Sequence, residues 1–152
     1  MTRTALLSAF DKTGVVDFAW MLKSLDFTIL ASGGTAKKIA EAGVPVIDVA
    51  DVVRSSLRLK INRVLNRVEV QVDNDRLTRA MIEEHIGEPI LGHRVLSLTP
   101  EVHGGLLARM LEEDRATLAL EGIPWIDLLY VNFYPMDQAL AKPDATLESV
   151  LE

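Results

Sequence analysis

Ser8, Lys12, Thr13 and Gly14 fall within one short segment, and Ser32, Gly33, Gly34 and Thr35 are consecutive. Each group supplies hydroxyls and glycines, and the first adds an ammonium. These residue types hold phosphate. Glycine lets backbone amides approach an anion closely, hydroxyls donate hydrogen bonds, and lysine acts as a point charge. The first group begins near the end of the apolar run 4–9 and continues past it, and the second follows Phe27–Ala31. Each opens into residues with helical spacing, and a strand-to-helix turn aims free amides at an anion. Alone, Lys12 reads equally as an exposed loop lysine and the glycine pair as a plain tight turn. Together the two turns predict a phosphate-ester binder.

Further candidates lie in the C-terminal half. Asn132-Phe133-Tyr134-Pro135 ends an apolar run, 126–132, that reads as a central strand. Ligands of open parallel sheets bind beyond the carboxyl ends of strands, which places Asn132 and Tyr134 for polar contact with a substrate. A tyrosine that packs its ring and bonds locally is the simpler alternative. His103 precedes Gly104-Gly105 at the head of a helical pattern. Its ring is either an acid or base near neutral pH or a cap satisfied by backbone. His85 and His93 suggest no role. No His, Asp and Glu grouping has metal-ligand spacing, so no metal is expected. The absence of cysteine excludes disulfides and thiolate chemistry.

The elements that must position these residues follow an α/β pattern. After the strand at 4–9, Val15, Val16, Phe18, Ala19, Leu22 and Leu25 recur at helical spacing, predicting a helix over 13–25 with Thr13 as its cap. A strand at 27–31, a helix at 36–42 closed by Gly43, and a strand at 46–49 come next. Such alternation implies a parallel sheet with right-handed crossovers. One helix is expected from His103 to Leu120, stopped by Gly122, with short helices at 137–141 and 146–151. Residues 54–85 read differently. Leu57, Leu59 and Ile61, then Val68, Val70 and Val72, alternate with polar residues, which predicts a β-hairpin followed by a helix over 75–85. The basic residues from Arg54 to Arg67 are expected on a solvated strand face that protects an edge, or on a surface for an acidic partner.

With 152 residues, 49% of them hydrophobic, the chain fits one domain with a core of aliphatic side chains. The formal charge of −6 argues against nucleic-acid binding. No apolar run reaches the length of a membrane span, and the N-terminal run is too short for a signal-peptide core. A soluble cytoplasmic setting is expected. No internal repeat or low-complexity segment is present.

As an ordered set, several segments resemble one known family. They are Leu6-Leu7-Ser8 with Asp11-Lys12-Thr13-Gly14, Ala31-Ser32-Gly33-Gly34-Thr35-Ala36, Ala42-Gly43-Val44-Pro45-Val46, and Arg94-Val95 with Leu98 and Pro100. His103 through Arg109 and Asp127 through Pro135 complete the set. The chain resembles the N-terminal, methylglyoxal-synthase-like domain of bifunctional AICAR transformylase/IMP cyclohydrolase enzymes over most of residues 4–53 and 90–150. The resemblance implies a three-layer, mainly parallel sheet flanked by helices, with 54–85 as an insertion in a single domain.

The family closes the ring of a formylated carboxamide ribonucleotide (FAICAR) to give IMP with loss of water, a cyclic-amidine-forming hydrolase activity in purine synthesis. It needs no cofactor, and the resemblance suggests a homodimer. It implies that Ser8, Lys12, Thr13, Gly14, Ser32, Gly33, Gly34 and Thr35 contact phosphate and ribose. Arg94 would adjoin the base, Ser97 would supply a hydroxyl where the family has threonine, and Tyr134 would lie close to the reacting groups. Tyr134 and Lys12 are the residues expected nearest the chemistry. The pattern departs at Leu96, where the family has the lysine that stabilises the oxyanion, at Thr99, where it has histidine, and at Phe10, where it has serine. The family's downstream segment with a catalytic aspartate and a second lysine has no counterpart within the 152 residues. A non-catalytic nucleotide-binding or regulatory domain is the alternative these departures favour.

Overall fold

A computed structural model describes residues 3–67 and 99–146. In chain order the elements are β1 (Arg3–Ser8), α1 (Val15–Ser24), β2 (Phe27–Ala31), α2 (Gly33–Glu41), β3 (Ile47–Asp48), α3 (Val49–Arg67), α4 (Pro100–Leu107), α5 (Glu112–Glu121), β4 (Leu128–Val131) and α6 (Met136–Leu140). The four described strands form one parallel sheet in the order β3-β2-β1-β4. The chain therefore builds outward from β1 through β2 to β3, then returns to the other side of β1.

Apolar residues on both faces of β1 and β2 explain the layers. Ala5, Leu7 and Ile29 point to one side, where Val15, Ala19 and Leu22 of α1 and Ala36 and Ile39 of α2 cover them. Those positions are three or four apart, so each helix lays one stripe on the sheet. Leu6 and Leu30 point to the other side and meet Val49, Ala50 and Val53 of α3, Val102 of α4, and Ile126. Asp127 pins β4 to β1 before the ladder begins. Its carboxylate accepts the Thr4 amide at 2.8 Å, and its own amide donates to the Thr4 carbonyl at 2.8 Å.

The α/β architecture agrees with the sequence reading, but several elements differ. Gly14, in the left-handed region at φ 72°, precedes α1 in place of the expected Thr13 cap, and no side chain caps that helix. The second helix begins at Gly33, three residues earlier than expected, and β3 is only two residues long. The expected helix from His103 is two helices separated at 108–111, where Ala108 takes an extended conformation. The run at 126–132 gives β4, which is an edge strand among the described residues and not a central one.

The largest correction concerns Leu57, Leu59 and Ile61. They lie in α3, not in a hairpin, and α3 supplies part of the second core. Its inward positions include two polar side chains. Ser56 is fully buried, and Lys60 Nζ reaches Glu101 Oε1 at 2.8 Å. Those residues interrupt the helical apolar stripe and left alternation as the visible pattern. The second expected strand at 68–72 and the helices at 75–85 and 146–151 lie wholly or largely outside the described residues. No helix among the described residues is long and apolar enough to cross a membrane.

Candidate functional site

The carboxyl ends of β1, β2 and β4 bring the predicted turns together. Sheet order reverses around β1, and the crevice at such a reversal is where open α/β sheets receive ligands. Ser8 closes β1 and Ser32 precedes α2, with their hydroxyl oxygens 3.2 Å apart. Thr35, buried in the first turn of α2, links the same two segments. Its Oγ1 accepts the Ala9 amide at 3.2 Å and donates to the Ala9 carbonyl at 3.1 Å.

Lys12 crosses from the first turn to the second. A Cβ added to Gly34 would sit 3.4 Å from Lys12 Cε and 3.8 Å from Nζ. The ammonium thus lies over the N-terminus of α2, while Nζ also donates to the Phe10 carbonyl at 3.2 Å. The amides of Gly33 and Gly34 open a helix and have no carbonyl a turn earlier within it. Gly33 adopts φ 44°, a conformation that costs a residue with a Cβ far more than glycine. A helix N-terminus, two hydroxyls and a nearby ammonium make a cradle for an anion.

The first turn uses more of its donors internally than its sequence suggests. Asp11 Oδ1 accepts the Thr13 amide at 2.9 Å and the Thr13 hydroxyl at 2.8 Å. These two bonds from Thr13, backbone first, hold the Asp11 carboxyl below its ordinary value, and Lys38 and Lys12 add to the effect. Asn132 also faces inward. Its Oδ1 accepts the Phe10 and Asp11 amides at 2.7 and 3.1 Å, and its Nδ2 donates to the Asp11 carbonyl at 2.7 Å. Sequence reasoning placed Asn132 and Thr13 toward a substrate. In the structure Asn132 clamps the turn from β4, and Thr13 is bonded to Asp11.

Tyr134 stands at the rim, with its ring edge-to-face against Phe10 at a centroid distance of 4.8 Å. His103 bonds through Nδ1 to the Thr99 carbonyl at 3.1 Å, which is the backbone-satisfied alternative of the two read from sequence. Arg94, Ser97 and Leu96 lie outside the described residues. The Asp11–Thr13 spacing is the signature of an Asx turn and was legible in the sequence. The Asn132 clamp spans more than a hundred residues and was not.

A separate cavity of about 630 Å³ opens at the amino ends of the strands, lined among others by Arg3, Arg115, Trp125 and Asp127. It contains none of the predicted site residues.

A model of the MGS-like domain family matches residues 14–152. The bifunctional purine biosynthesis protein PurH of Synechococcus elongatus is 42% identical over 155 aligned positions, which span all of this chain and 24% of that protein. The chain thus spans about a quarter of the length of that curated relative. Among solved structures, the crystal structure of ForH superposes with a TM-score of 0.60 at 29% identity, over 88% of this chain and 54% of that one.

Proposed function

The chain belongs to the MGS-like domain family, and from that premise we propose that it binds a purine-precursor ribonucleotide monophosphate and closes FAICAR to IMP. The observation that carries the reading is Lys12 lying over Gly34 at the open N-terminus of α2. Ser8, Ser32 and the Gly33 and Gly34 amides complete the phosphate contacts, and Thr35 fixes the distance between the two turns. The likeness to PurH supports purine synthesis as the setting.

The chemistry suits a site built for positioning. The carboxamide nitrogen attacks the formyl carbon of the same molecule, a C–N bond forms, and the formyl oxygen leaves as water. Both partners are on one substrate, so alignment supplies much of the acceleration. The phosphate cradle anchors one end, and the ring contact of Tyr134 with Phe10 of the first turn supports Tyr134 as a side chain toward the reacting end. What remains is a donor for the developing oxyanion and a path for its protons.

One observation favours a second reading, nucleotide binding without turnover. Leu96 stands where the resemblance expects a lysine. Loss of one oxyanion donor lowers rate by about 100- to 1,000-fold. Mixing the purified chain with FAICAR and following IMP by absorbance, with nucleotide-dependent melting in parallel, separates the two. Turnover supports the cyclohydrolase. A melting shift without turnover supports the binding module, and neither signal rejects both.

A further inference from the structure

Phe10 is an apolar ring in a polar turn that runs from Ser8 to Gly14. It joins neither core cluster and is 52% exposed, beside a Tyr134 that is 37% exposed. Core packing therefore does not explain it. Its position is nonetheless fixed. The Phe10 amide donates to Asn132 Oδ1 at 2.7 Å, and its carbonyl accepts Lys12 Nζ at 3.2 Å. One residue thus couples the loop clamp, the ammonium over α2 and an exposed ring.

The ring meets Tyr134 with an interplanar angle of 89°. Two half-exposed rings at right angles form a corner, leaving aromatic surface available to a third planar group. Exposed apolar area beside converging polar groups is the usual make-up of a small-molecule site. An aliphatic sugar phosphate would satisfy the cradle and leave this corner in water. A phosphate ester that also carries a planar heteroaromatic ring would use both.

We propose that Phe10, with Tyr134, is the contact for the planar heteroaromatic end of the phosphorylated ligand and sets a preference for aromatic phosphomonoesters over aliphatic sugar phosphates. The assignment rests on the phosphate reading given above. It makes Phe10 a specificity-determining residue and leaves anchoring to Lys12 and the α2 amides.

Calorimetric titration with IMP and with ribose 5-phosphate tests it, because the two probes share phosphate and sugar and differ by the ring. The wild-type chain is expected to bind IMP about tenfold or more tightly, as base–aromatic contact typically provides. Phe10→Leu should remove most of that ratio while leaving ribose 5-phosphate affinity unchanged, and Phe10→Tyr should retain it. A wild-type ratio near one, or a ratio that survives Phe10→Leu, overturns the proposal and leaves the phosphate reading standing. Equal weakening of both probes by Phe10→Leu also overturns it, since the residue would then serve the loop alone. Failure of the wild type to bind either probe removes the phosphate reading and this proposal with it.

Discussion

Lys12 and Asn132 separate two jobs that the sequence presents as one. Lys12 reaches across to α2, and among the described residues its ammonium donates to a carbonyl two residues away, so removing that side chain leaves the turn's other bonds intact. Asn132 makes three hydrogen bonds to the turn from a different strand. Lys12→Ala should weaken phosphomonoester binding by about tenfold or more, since bonds to charged groups contribute about 1.5–3 kcal/mol, with no change in the melting temperature of the ligand-free chain. Asn132→Ala should lower both, with a stability loss of about 1–3 kcal/mol from three lost bonds at roughly 0.5–1.5 kcal/mol each, partly recovered by water. Calorimetry and thermal melting on the same two variants check the division; an Asn132→Ala variant with full stability would contradict the clamp. At this scale the sequence showed residue types but not their partners. Ser8, Ser32 and Lys12 were recognisable because strand-to-helix turns are local patterns. The direction in which Thr13 and Asn132 point depends on Asp11 winning the Thr13 donors and on β4 lying beside β1, and only the second of these is a long-range fact.

Helix α3 and the paired glycines of α4 show what periodicity reveals and what it hides. Val49, Ala50, Val53 and Leu57 keep helical spacing, but Ser56 and Lys60 occupy the same inward stripe. They are tolerated there because Glu101, 4% exposed at the start of α4, accepts from both. Arg63 likewise reaches Glu121 of α5 at 2.8 Å. Much of the basic run that sequence reading gave to a wet strand face or an acidic partner is thus paired with the chain's own carboxylates. Lys60→Met should cost about 2–4 kcal/mol, less than breaking a wholly dry pair because the Lys60 side chain is 38% exposed, and it would leave the buried Glu101 carboxylate without its cation. Urea unfolding measures this, and a neutral result would mean water reaches Glu101 freely. Gly104 and Gly105 give a matched pair in α4. A Cβ at Gly105 would collide with the Pro124 carbonyl oxygen, whereas one at Gly104 would meet Ile123 and Leu118 at an ordinary 3.7 Å. Gly105→Ala should destabilise by about 1–3 kcal/mol through overpacking. Gly104→Ala should be neutral or stabilise by up to about 1 kcal/mol, because alanine orders more readily in a helix. Equal effects from the two substitutions would refute the close approach of α4 to the segment entering β4.

Across the whole molecule the parallel α/β architecture was the part most firmly implied by sequence, because continuous apolar runs joined by amphipathic helices admit few arrangements. Strand order was not, since the run expected inside the sheet lies at its edge among the described residues. What sequence could not supply was the placement of the charges on α3, since the pairs Lys60–Glu101 and Arg63–Glu121 join residues distant along the chain. That placement predicts how the molecule responds to acid. On Glu101, burial pushes the carboxyl up, but the hydrogen bond from Lys60, with help from Ser56 and backbone, outweighs it and leaves the group below its ordinary 4.5. Hydrogen bonds from Arg63 and Arg109 likewise lower Glu121 and Asp114. All three groups sit on α4 and α5 and so load the effect onto one side of the sheet. A depressed carboxyl binds fewer protons folded than unfolded, so its contribution is complete above the unfolded value and is lost as pH falls through the folded one. The urea midpoint should therefore hold steady from neutral pH to about pH 5 and drop steeply toward about pH 3. Glu101→Gln should be less stable at neutral pH and show a shallower drop, because the buried group no longer titrates, while the contributions of Glu121, Asp114 and Asp11 remain. If Glu101→Gln kept the full wild-type slope, the pair with Lys60 would have no part in holding α3 against α4, and the reading of α3 as a helix fastened by buried charge would fail with it.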